Sequence, residues 1–105
     1  MIVDLTPSYQ TLAAEIIQHC PPGFASARLS GALEDGDVAT VQLECRKADG
    51  AVERPRIRGM HAFTISSTLF ELQKQMQKPG HSPWSRCTFS LFPDGKFKFD
   101  VEYDD

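Results

Sequence analysis

Residues Arg86 to Tyr103 alternate with a period of two on both sides of a single turn, and no other feature limits the possible fold as tightly. Cys87, Phe89 and Leu91 alternate with Arg86, Thr88 and Ser90; beyond the turn, Phe97, Phe99, Val101 and Tyr103 alternate with Lys98, Asp100 and Glu102. Such a period means two strands with one buried and one wet face. The turn sets the register. In Phe92-Pro93-Asp94-Gly95-Lys96, proline presets φ, aspartate suits the next position and glycine takes the left-handed residue. A three-residue loop with a glycine bulge places Leu91 opposite Phe97, Phe89 opposite Phe99 and Cys87 opposite Val101, so that every apolar residue shares one face. Thr88 then meets Asp100, and Arg86 meets Glu102 as an opposite-charge pair. A two-residue loop would scramble both faces.

The 105 residues suit one domain, residues 1–105, with a core that needs no staples. Hydrophobic content of 41% and charged content of 24% are those of a soluble globular chain, and no apolar run reaches the roughly 20 residues that span a bilayer. Met1 to Leu5 lacks the basic and long apolar regions of a signal peptide. Cys20, Cys45 and Cys87 are odd in number and widely spaced. They argue against a disulfide framework or a zinc site and for free thiols in a reducing cytoplasm.

Net charge is −3, unevenly spread: five cations against Glu71 leave +4 over residues 54–78 and −7 elsewhere. Acid gathers at Glu34-Asp35-Gly36-Asp37 and at Asp100, Glu102, Asp104 and Asp105. Either cluster reads as a turn or a solvated tail, or as an acidic docking patch.

A first helix is predicted from Pro7 to Cys20, with Thr6 as N-cap and a core stripe that includes Ile16 and Ile17; Pro21-Pro22-Gly23 ends it. Phe24–Leu33 and Val38–Arg46 alternate as strands, and Ala51–Ile57 is a weaker edge strand blunted by Pro55 and its arginines. A second helix is predicted from Ala62 to Lys78 on the stripe Ala62, Ile65, Leu69, Leu72 and Met76, widened by Phe63 and Phe70. The fold class that buries every stripe is α+β: an antiparallel five-stranded sheet with two helices on one face, in the order α-β-β-β-α-β-β. Its other face is polar, from Thr40, Gln42, Glu44 and Arg46 to Arg86, Thr88, Ser90, Lys98, Asp100 and Glu102.

No catalytic set emerges. His19, His61 and His81 lack metal-ligand spacing to one another or to a cysteine, and phosphate-loop and nucleophile-elbow patterns are missing. His19 reads as a helix C-terminal residue, and His61 and His81 as exposed loop or cap residues. The reading is therefore a non-enzyme without metal or cofactor. Arg54, Arg56 and Arg58 alternate and suit phosphate contacts, which keeps a small nucleic-acid-binding module as the alternative. Against it, no aromatic residue interleaves there and the chain is acidic, so no nucleic-acid partner is expected.

The run Pro83-Trp84, Thr88-Phe89-Ser90-Leu91, Gly95-Lys96-Phe97-Lys98-Phe99-Asp100 and Tyr103-Asp104-Asp105 resembles the closing segment of the YezG-type antitoxin and immunity protein family. The match covers about twenty residues; elsewhere only length and element order are similar, and Arg54–Arg58 and Met60-His61 do not map onto the family. The resemblance implies a bacterial cytoplasmic immunity protein without catalytic residues. Such a protein binds and blocks a cognate toxin domain, often a nuclease, encoded alongside or delivered by a neighbouring cell as in contact-dependent growth inhibition. Trp84, Phe89, Gly95, Phe97 and Phe99 carry over as fold anchors. Because nucleases present basic clefts, the toxin interface is expected at Glu34, Asp35, Asp37, Glu102, Asp104 and Asp105. Oligomeric state does not follow from these residues.

Overall fold

The computed structural model describes residues 5–34, 37–77, 79, 80 and 82–103; for residues 34 and 37–39 it describes the main chain alone. The elements are α1 (Thr6–His19), β1 (Phe24–Glu34), β2 (Asp37–Lys47), β3 (Val52–Glu53), α2 (Gly59–Met76), β4 (Arg86–Leu91) and β5 (Phe97–Glu102). The strands form one antiparallel sheet in the order β3-β2-β1-β4-β5. This is the α+β fold and element order expected from the alternation.

The closing hairpin has the predicted register throughout: Leu91 pairs with Phe97, Phe89 with Phe99, Cys87 with Val101, Thr88 with Asp100 and Arg86 with Glu102. Its turn is closed by Phe92 N–H donating to the Lys96 carbonyl at 2.9 Å and Gly95 N–H to the Phe92 carbonyl at 3.0 Å. The Asp94 carboxylate accepts the Lys96 N–H at 2.9 Å, and Gly95 takes φ +89°. Only glycine adopts that backbone without strain.

Alternate residues of β1, β2 and β4 (Ala27, Leu29, Leu33, Leu43, Cys45, Cys87, Phe89 and Leu91) join Leu12 and Ile16 of α1, Ile65, Leu69 and Leu72 of α2, and Trp84 in one buried core. Both helices thus cover the same sheet face. Gly31 lies beneath α2, where an added Cβ would stand 2.8 Å from Leu69 Cδ1 and 3.3 Å from Cys87 Sγ. The helix seats this closely because the central strand has no side chain there.

Several expectations need correction. Helix α1 begins one residue early: Leu5, not Thr6, is the N-cap, and its carbonyl accepts the Tyr9 N–H at 3.2 Å. Ile17 is 57% exposed, because the core stripe of α1 narrows to Leu12 and Ile16. In α2, which starts three residues early and ends at Met76, Phe63 is 66% exposed and falls outside the buried stripe. Phe97, expected on the buried face of the hairpin, is 47% exposed because β5 is an outer strand. Strand β3 shrinks to two residues, since Pro55 has no N–H to extend the ladder. The largest correction concerns cysteine. The end of α1 crosses the sheet so that Cys20 and Cys45 pair as a disulfide with Cα atoms 5.9 Å apart, well inside the usual range, and only Cys87 is free.

Candidate functional site

The two acidic segments, far apart in sequence, meet at one end of the sheet. Glu34 and Asp37 are partners at the closing end of the β1–β2 hairpin. One residue before Glu34, Leu33 N–H donates to the Ser85 carbonyl at 2.7 Å, and Ser85 N–H donates to the Glu102 carbonyl at 2.9 Å. This main-chain relay ties the tip of β1 through the start of β4 to the end of β5. Antiparallel order produces it: β1 and β5 both run toward this end, flanking β4, which starts there. Glu102 is exposed, and Asp35, Asp104 and Asp105 lie outside the described residues.

The surface around Glu102 is polar and of mixed sign. Arg86 stands opposite Glu102, and no ion pair joins them among the described residues, while Lys98 Nζ lies 3.8 Å from Asp100 Oδ2. This face of the sheet carries no helix among the described residues. A shallow cavity of about 160 Å³ on it is lined by Ser30, Gly31, Ala32, Thr40, Gln42 and Arg86. Below the core side, the fold anchors pack tightly. Phe89 stacks on Phe97 at 5.2 Å, Tyr9 reaches Phe97 at 5.0 Å and Phe99 at 5.6 Å, and Trp84 meets Phe99 edge-on at 6.0 Å. Burial raises the Tyr9 phenol above its ordinary value.

Elsewhere, titratable groups serve as braces. The Glu15 carboxylate accepts from His61 Nδ1 at 2.8 Å, linking α1 to α2, while His19 Nδ1 donates to the Glu15 carbonyl at 2.7 Å. His61, expected in a loop or cap, is in the first turn of α2 and stands edge-on to His19 at 5.0 Å. No group of three or more His, Cys, Asp or Glu suited to a metal occurs among the described residues. Burial pushes the Cys87 thiol up to about 11, so the thiolate nucleophile is scarce at neutral pH. Gln73, which periodicity alone did not single out, is buried on α2 and donates to the Trp84 carbonyl at 2.7 Å. Its signal was the one polar residue beside Leu72 on the core side of the stripe.

The arginine run takes a different position. Arg54, Arg56 and Arg58 are exposed on an extended segment alongside β2, and Arg54 Nη2 lies 3.3 Å from Glu44 Oε2. A cavity of about 300 Å³ separates this segment from Val41, Gln42 and Leu43. At the start of α2, Met60 and Phe63 are 75% and 66% exposed, a pair of large apolar side chains of which Phe63 is expected to widen the core stripe. No family model matches the chain, and no curated protein does, so the YezG-type resemblance stands on the closing segment alone.

Proposed function

We propose that this chain is an immunity protein: it binds a cognate toxin domain, a nuclease, and blocks it. The observation that carries the reading is the meeting of the β1–β2 tip with the end of β5, which gathers Glu34, Asp37 and Glu102 at one end of the sheet. A nuclease must attract a polyanion, so its cleft is basic. An acidic sheet end is steered toward such a cleft and competes with the substrate there. Asp35, Asp104 and Asp105 extend the same acidic segments in sequence. The reading makes the partner a protein, requires no cofactor and sets the action in the cytoplasm.

The test is co-purification with the toxin domain encoded next to this chain, followed by a nuclease assay. Stoichiometric inhibition is expected. Replacing Glu34 and Glu102 with Gln and Asp37 with Asn should slow association about tenfold at low salt, with the difference shrinking as salt rises. Inhibition and association rate both unchanged in that variant would remove the acidic end from the interface.

A further inference from the structure

The outer edge of β2 is an unfinished strand pairing. Lys47 N–H donates outward to the Ala51 carbonyl at 2.8 Å, and Cys45 and Arg46 pair with Glu53 and Val52. Main-chain groups of a strand alternate sides, and the β1–β2 register is unbroken from Thr40 to Arg46. Counting back by twos from Lys47, the N–H and C=O of Cys45, Leu43 and Val41 all aim outward. Continuing the Cys45–Glu53 register would put Pro55 opposite Leu43 and Ile57 opposite Val41. Pro55 cannot donate, and the segment leaves the edge there. Among the described residues, the outward main-chain groups of Val41 and Leu43 have no main-chain partner. They line the 300 Å³ cavity together with Arg54, Arg56 and Arg58.

An edge of this kind is a template for another strand. The surroundings select its chemistry. Arg56 and Arg58 make no ion pair among the described residues, and they belong to the +4 stretch of an otherwise negative chain. Val41 and Ile57 supply half-buried apolar walls. A nucleic acid fits less well: outward carbonyls repel phosphates, and among the described residues no aromatic side chain lines the cavity to stack a base. We infer that the outer edge of β2 at Val41–Leu43 receives an extended acidic segment of a partner protein, paired through its main chain and held by Arg54, Arg56 and Arg58. This inference is independent of the toxin reading, which concerns the β1–β2 tip and the end of β5 and not the outer edge of β2.

The probe is a fluorescein-labelled eight-residue peptide alternating Glu and Val, titrated against the full chain at low salt. Saturable binding is expected, with amide exchange at Val41 and Leu43 slowed in the complex. Arg56→Glu with Arg58→Glu should weaken it at least tenfold, as should N-methylation of every second peptide amide. Equal affinity for the N-methylated peptide would show attraction by charge alone and overturn the inference, as would tighter binding of a single-stranded oligonucleotide. Self-association of the free chain that the arginine variant abolishes would assign the edge to a second copy and overturn it too. Amide exchange of the core strands, unchanged in the variant, establishes that it is folded.

Discussion

The two outer edges of the sheet are built on opposite plans. At one, β5 pairs with β4 along six residues, and Tyr9 and Trp84 roof its aromatic side chains. At the other, β3 offers two exposed residues, joined to β2 by the Lys47–Glu53 ion pair at 2.9 Å, and a disulfide from α1 anchors β2 at Cys45. Each arrangement follows from a short stretch of sequence. Pro93-Asp94-Gly95 closes a turn and commits both strands, whereas Pro55 interrupts a strand that had just begun. A proline therefore completes one edge and leaves the other open, and the difference lies in whether its missing N–H was needed.

The comparison breaks most easily at the buried hairpin strand. Phe89 is fully buried, so Phe89→Ala should cost about 3–5 kcal/mol in denaturant unfolding. Val52→Ala on β3 should cost less than about 0.5 kcal/mol, since its side chain is 37% exposed. Equal losses at the two positions would mean that β3 carries packing its exposure does not suggest. A somewhat smaller effect tests the covalent anchor. The Cys20–Cys45 link closes a loop of sequence separation 25, and its reduction should remove about 2–4 kcal/mol. A variant with both residues changed to Ala should be indifferent to reductant. Alkylation in intact host cells gives the same link a biological reading: one reactive site after unfolding means the bond stands, and three mean a reducing compartment. The proposed cytoplasmic setting requires three, because disulfides rarely persist there.

What was legible in the sequence was local. The register of the closing hairpin could be worked out because a turn of known type joins strands whose apolar residues must share a face. Element order and the single core face followed from the same alternation. Depth was not legible: a period of two says which side Phe97 faces but not that β5 is outermost, and a helical stripe did not show that Ile17 and Phe63 would overhang its rim. Pairings across the fold were not legible either. Cys20 meets Cys45, and Glu15 meets His61 46 residues away, only because α1 crosses the sheet and lies beside α2. For the acidic site, the residue types were visible early. Their meeting depended on β4 lying between β1 and β5, which no single segment encodes.

Alkaline pH gives the gentlest probe of the two edges. Cys87, paired with Val101 of β5, has its thiol raised from 9.0 to about 11 by burial, and Tyr9, roofing the same strand, is raised from 10.0 by the same cause. Both groups are neutral when protonated, so the unfolded chain loses these protons first. It then binds fewer protons than the native state, and stability falls with rising pH, beginning near 9 and continuing to about 11. The slope is at most about 1.4 kcal/mol per pH unit for each group, which makes the Cys87 contribution about 2 kcal/mol across that window. At the opposite edge, Lys47 is raised by its hydrogen bond to Glu53, but the pair lies at the surface, where solvent screens it. Urea midpoints measured from pH 8 to 11 should therefore fall less steeply in Cys87→Ala and keep the wild-type slope in Lys47→Gln. The reverse pattern would move the alkaline weak point to the β2–β3 edge and undo the assignment of the hairpin as the more deeply buried of the two.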